Sequence, residues 1–233
     1  MGIMFSLLPF LDSCYRRRTI QSPLLAVGSF EINEPEDRII SFGRKYSYPN
    51  LLREKSVRSL FLDRYGIEQY QDLDINDKAD ILLDLNFPIS EKFGGIASTI
   101  LDSGTMEHVF DIKQALTNVH KMLKVEGTFI YISPLTWYDH GFFNFNPKLF
   151  KGLTKANDYK VLVEGFWISQ SKRRYFSKKL VKQVYLTVDG EEHLDVKQIV
   201  EKRFNNNLLP ANALYMIAFK KEKDDHFQNP YDE

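Results

Sequence analysis

Cysteine is nearly absent from this 233-residue chain, in which Cys14 stands alone. A single thiol excludes a disulfide framework and a thiolate metal centre, and it suits a reducing compartment, so a cytoplasmic location is expected. A surplus of either charge is also missing, because 31 Lys and Arg balance 31 Asp and Glu. Sequence-independent nucleic-acid binding needs a net positive surface to displace counterions from phosphates, so no nucleic-acid partner is expected. The basic clusters at 16–18 and 172–174 are short enough to be solvated charged faces. No run approaches the roughly 20 apolar residues of a membrane-spanning helix. The apolar stretch at 1–11 is short, its arginines follow it rather than precede it, and no cleavage pattern is visible, so no signal peptide is expected.

What is present is enough apolar material for one domain with a substantial core: 43% of residues are hydrophobic and 27% charged, with no internal repeat. The chain is organised around 96–111. There an apolar, β-branched run breaks into Asp102-Ser103-Gly104-Thr105 and meets a helix start, the pattern of a buried parallel strand delivering polar groups to the carboxyl edge of a sheet. Ile112, Ala115, Leu116, Val119, Met122 and Leu123 then recur at helical spacing, Asp111 and Gln114 suit a capping box, and Gly127 suits the stop. A second apolar strand at 128–134 completes a βαβ unit, whose strands lie parallel and cross over right-handed.

Around this unit the pattern predicts further elements. Residues 1–22 read as an amphipathic helix or loose arm, and 23–28 as the first core strand, running into Gly28. The segment 29–50 reads as a long loop with some local structure, and 51–65 as one helix stopped by Gly66. Strands at 67–73 and 79–83 end beside Asp74 and Asp84, so with Asp102 three successive strands end on acids, which suggests a shared crevice. Asn146-Pro147 cap a helix to about 157, 159–168 and 213–220 read as strands, and 169–210 as an insertion with an Asp189-Gly190 turn and a helical piece at 196–204. One domain spans 23–221, and 222–233 reads as a polar, frayed tail.

Ala26-Val27-Gly28, Asp72-Leu73-Asp74-Ile75, Asp84-Leu85-Asn86, the run 101–109 through Asp102-Ser103-Gly104 and Glu107-His108, Met122 to Gly127, Ser133-Pro134 and His140-Gly141 together resemble class I S-adenosylmethionine-dependent methyltransferases, in their bacterial small-molecule and glycan-modifying branch. The resemblance covers roughly 23–168 and resumes at 213–220. It implies an α/β, Rossmann-like fold: a seven-stranded, mostly parallel sheet with helices on both faces and an antiparallel last strand. It also implies S-adenosyl-L-methionine as cofactor and a small-molecule or glycan acceptor, with a sugar hydroxyl in polysaccharide biosynthesis the expected one; a homodimer is left open. Such enzymes usually carry several glycines after the first strand, whereas here Gly28 is followed by Ser29-Phe30-Glu31-Ile32-Asn33. That thinned loop motivates the alternative of a catalytically silent scaffold. A nicotinamide oxidoreductase is disfavoured by the missing G-x-G-x-x-G turn.

On this resemblance Gly28 lets the backbone approach the methionine end of the cofactor, the alternative being a glycine that merely ends a strand. Asp74 accepts the ribose hydroxyls, with Asp72 as its rival on the same strand face. Asp84 lies near the adenine amine with Leu85 against the ring, unless it serves a turn. Asp102, Ser103 and Gly104 line the floor beneath the methyl. For a hydroxyl acceptor a base is useful, worth roughly 10²–10⁴ in rate, and His140 is preferred to His108, which can alternatively fix its loop. The aromatics 137–150 can stack on a sugar or serve the core. No histidine lies near acids at metal-ligand spacing in sequence, so no metal is expected.

Overall fold

The computed structural model describes residues 2–174, 177–187 and 213–230. A short strand, β1 (Gly2–Ile3), and a helix, α1 (Leu8–Arg16), precede β2 (Leu24–Val27) and β3 (Glu31–Ile32). Three helices, α2 (Glu36–Tyr46), α3 (Pro49–Glu54) and α4 (Val57–Tyr65), lead to β4 (Tyr70–Asp74) and β5 (Ile81–Leu82). Then come β6 (Ala97–Ser103), α5 (Ile112–Met122), β7 (Leu123–Pro134), α6 (Pro147–Ala156), β8 (Lys160–Arg174), β9 (Ser177–Thr187) and β10 (Ala213–Lys220).

The main sheet runs β5-β4-β2-β6-β7-β10-β8-β9, and β1 pairs with β3 separately. Strands β5, β4, β2, β6 and β7 pair in parallel, while β10 lies antiparallel between β7 and β8. The seven-stranded Rossmann-like sheet with its antiparallel last strand is therefore present, and β9 adds an eighth strand within the stretch read as an insertion. The expected turn at Asp189-Gly190 and the helical piece at 196–204 lie outside the described residues.

Both faces of the sheet are covered, which is why its central strands are apolar throughout rather than alternating. On one face Leu101, Ile130 and Ile132 pack with Phe10 and Leu11 of α1 and Leu60 and Phe61 of α4. On the other Ile100, Phe129 and Tyr131 pack with Leu116 and Val119 of α5 and Phe150 and Leu153 of α6. Among the described residues no helix is long and apolar enough to cross a membrane.

Several boundaries differ from the sequence expectations for local reasons. The segment 29–50 is not mainly loop: it carries β3 and α2, with Glu36 and Asp37 in the first turn and Arg44 and Lys45 in the last, charges that complement the helix dipole. The single helix expected at 51–65 is two, because Lys55 adopts a left-handed φ of 52° and Ser56 starts α4 by accepting the Ser59 N–H. Gly127 does not stop α5. The helix passes directly into β7 at Leu123, and Gly127 sits inside that strand, where a Cβ would lie 2.8 Å from the Lys124 carbonyl. Asp111 caps α5 through the Gln114 N–H, yet the Gln114 side chain turns to Asn118 instead of completing the box.

The segment 1–22 is neither loose nor peripheral, since Phe10, Leu11 and Cys14 are fully buried. Burial pushes the Cys14 thiol up to about 12, which leaves it inert. The tail is tied down as well. Lys221 is buried and donates to the carbonyls of His120 and Leu123 at the end of α5 and to Asp224, while Gln228 exchanges hydrogen bonds with Asn157. An ammonium at a helix C-terminus meets orphan carbonyls and the negative dipole end, and this ordering signal lies in a single residue of a polar stretch.

Candidate functional site

The chain leaves β2 toward β4 on one side, and β6 returns on the other, so the carboxyl end of β2 is the point where strand order reverses. Crevices form there in open α/β sheets. Gly28 stands at this point with φ of +107°, and its N–H donates to the Leu73 carbonyl at 2.7 Å. A Cβ on Gly28 would lie 2.2 Å from Thr105 Oγ1, whose hydroxyl donates to the Val27 carbonyl. Glycine is thus required both by conformation and by the closeness of the loop after β6.

The next residue connects the two sides of the crevice. The Ser29 N–H donates to Asp74 Oδ2 at 2.9 Å, and the Asn76 N–H to Asp74 Oδ1 at 3.1 Å. The Ser29 hydroxyl is buried without a partner. Asp72, the rival of Asp74, is occupied elsewhere: it and Asp80 each accept the other's backbone N–H. Asp84 is exposed and accepts from the backbone and side chain of Asn86, a local turn, while Leu85 is buried in the core beneath it.

Asp102 does not line an open floor. It is wholly buried, and its oxygens accept the N–H groups of Thr105 and Met106 at 2.8 and 3.0 Å. Burial and the nearby Glu107 carboxyl hold Asp102 well above the usual carboxylate range. Its role is to fix the turn that presents Ser103, Gly104 and Glu107. Ser103 and Gly104 do reach an opening: a cavity of about 120 Å³ is lined by these two together with Met4, Glu107, Trp137 and His140. Gly28, Asp74 and Asp84 are not among its lining residues, so the positions expected to share one hollow do not line it together: Asp74 is joined to Ser29, and Asp84 is turned to Asn86.

The loop after β7 closes over the group that lines the cavity. The N–H of Phe142 donates to the Glu107 carbonyl at 2.8 Å, and Asn144 bonds both the N–H and the carbonyl of Trp137. Gly141 permits this approach, since a Cβ there would lie 2.7 Å from the Glu107 carbonyl oxygen. As a result His140 Nε2 stands 3.3 Å from Glu107 Oε1, and the rings of His108 and His140 are 5.0 Å apart. One ligand atom from each of Glu107, His108 and His140 falls within 4.8 Å of the others, which sequence spacing concealed.

The charges of this group are not those of a salt bridge. Burial raises Glu107 to about 7, and burial lowers His140 and, with the neighbouring His140 ring, His108. The pair is best described as a neutral imidazole facing a carboxyl group. Glu107 Oε2 and the Tyr131 hydroxyl are both buried without partners. Sequence reasoning gave Glu107 no role; its position before His108 at the mouth of a strand was the available signal. Ser29 was missed for want of a distinctive neighbour.

No family model matches the sequence, and no curated protein matches it. Solved structures with a similar chain course include a SAM-dependent methyltransferase from Archaeoglobus fulgidus, 14% identical with a TM-score of 0.45, covering 91% of this chain and 94% of that one. The MccD protein is 12% identical with a TM-score of 0.42, covering 91% and 96%. A possible histamine N-methyltransferase from Thermotoga maritima is 12% identical with a TM-score of 0.39, covering 91% and 89%. Likeness at this level assigns the chain to no family.

Proposed function

We propose that this chain transfers a methyl group from S-adenosyl-L-methionine to a hydroxyl of a small molecule or glycan, a sugar hydroxyl being the preferred acceptor. The observation that carries the reading is the polar edge formed by Gly28, Ser29 and Asp74 beside the cavity at Ser103 and Gly104. That edge fits the donor. Each Asp74 oxygen accepts one backbone N–H, and a carboxylate oxygen has a further lone pair for a ribose hydroxyl. The orphaned Ser29 hydroxyl adds a donor, while Gly28, with Thr105 against its Cα, holds the loops after β2 and β6 together.

The bound sulfonium supplies an electrophilic methyl, so the protein has to align the acceptor, exclude water and take a proton. Trp137 borders the cavity and is the aromatic side chain placed to stack on a sugar there. His140 is the group to accept the hydroxyl proton: it is held neutral, it borders the cavity, and Glu107 lies against its Nε2. His108, next to it, is the second candidate for this role.

The test is calorimetric titration of S-adenosylhomocysteine into the intact protein and into Asp74→Ala. One site is expected, weakened at least tenfold, about 1.4 kcal/mol, by the substitution. A catalytically silent scaffold is the second reading. It is favoured by the cavity's volume, about 120 Å³, against roughly 300–1,000 Å³ for small-molecule sites. A flat titration at millimolar ligand with both proteins supports the scaffold and overturns the donor reading.

A further inference from the structure

We infer that Glu107, His108 and His140 bind a borderline divalent cation such as Zn²⁺ or Fe²⁺, with open coordination positions facing the cavity. Glu107 Oε1 and His140 Nε2 are 3.3 Å apart. Two ligands held about 2.1 Å from one ion at a tetrahedral angle lie about 3.4 Å apart, so this pair is already at ligand spacing. The His108 nitrogen is within 4.8 Å of both, and its ring is exposed, so it is free to swing in and complete the set.

A second observation separates this group from chance proximity. The Glu107 side chain is 1% exposed, yet Oε2 has no hydrogen-bond partner. A buried carboxyl oxygen left unpaired is costly unless something is to be held there. Two of the three ligands are also fixed from behind: Glu107 by the turn that Asp102 caps, His140 by the Gly141-Phe142 contact with the Glu107 backbone. Among the described residues no other three His, Cys, Asp or Glu side chains offer ligand atoms this close together.

The donor set selects the ion. Two imidazoles and one carboxylate suit Zn²⁺ or Fe²⁺, whereas Mg²⁺ and Ca²⁺ prefer oxygen throughout. Three protein ligands leave room for a water or a substrate oxygen, and Glu107 and His140 line the cavity from which it would enter. Such an ion lowers the pKa of a coordinated hydroxyl, so with the metal bound His140 serves as a ligand in place of its role as base, and the acceptor's proton passes to solvent. That last step rests on the methyl-transfer reading; occupancy by the metal does not.

Titration of Zn²⁺ alone against a colorimetric chelator, with the full chain free of donor, tests the site. One equivalent is expected to bind, with Glu107→Gln and His108→Ala each lowering affinity at least tenfold and His226→Ala, a change at an exposed histidine away from the cavity, leaving it unchanged. Co²⁺ in place of Zn²⁺ is expected to give a tetrahedral visible band that Glu107→Gln removes. His108 is exposed, so its variant reads the site without disturbing the core. No uptake, or uptake indifferent to both Glu107→Gln and His108→Ala, overturns the inference. A protein that binds S-adenosylhomocysteine but not Zn²⁺ loses the metal site and keeps the donor reading, and the converse result does the reverse.

Discussion

Gly28→Val is expected to destabilise the fold by about 2–6 kcal/mol, the combined cost of roughly 1–3 for a strained backbone and roughly 1–3 for overpacking. Both terms are visible at this residue. A φ of +107° suits glycine and disfavours any L side chain, and the added Cβ would lie 2.2 Å from Thr105 Oγ1 and 3.3 Å from a Phe30 ring carbon. Urea denaturation measures the loss. Adding Thr105→Ala relieves the collision but not the φ strain, so the double variant should recover part of the stability, a non-additivity expected of touching residues. If Gly28→Val unfolds within 0.5 kcal/mol of the parent, taking that as about the spread of an indifferent surface change, the close packing of the loops after β2 and β6 is wrong.

In metal-free protein, stability is expected to fall as pH rises from about 5 to 8, and Glu107→Gln is expected to remove much of that fall. Glu107 titrates near 7 in the fold against an ordinary 4.5, and burial is the cause. An acid whose folded pKa is raised holds its proton longer in the fold than in the unfolded chain, so stability is full below the ordinary value and declines until the folded value is passed. A shift of this size corresponds to about 3 kcal/mol at pH 8. The groups facing Glu107 are Asp102 on β6, Tyr131 on β7, the adjoining His108, and His140 on the loop after β7. Asp102 is raised in the same direction and leaves a residual slope in the variant. Denaturation in EDTA across this range checks the claim. Parallel curves for the parent and Glu107→Gln contradict it.

The strands that build the edge were legible because their signals are local. Ile100, Leu101, Phe129 and Ile130 are buried on both faces and read as unbroken apolar runs, and Gly66 and Asn146 sit at the helix ends that their chemistry suggests. Helix α2 was less legible, since its apolar stripe is narrow and Ile39 and Gly43 are its only buried residues. The break between α3 and α4 depends on a left-handed lysine, a conformation that no residue type announces there. Asp102 illustrates a different limit: a carboxylate at a strand end looks the same in sequence whether it meets a ligand or caps its own turn. The contact of Glu107 with His140 is a matter of loop closure across dozens of residues, set by how the Gly141 backbone fits against Glu107, and spacing along the chain carries no trace of it.

The most direct measurement is a crystal structure of the full chain grown with S-adenosylhomocysteine. The account predicts the ribose hydroxyls at hydrogen-bond distance from the Asp74 carboxylate and the sulfur beside Gly104, at the edge of the cavity that Glu107 and His140 line. An adenosyl group held anywhere else on the chain, or crystals at saturating ligand in which the Ser29–Asp74 edge carries none, would contradict it.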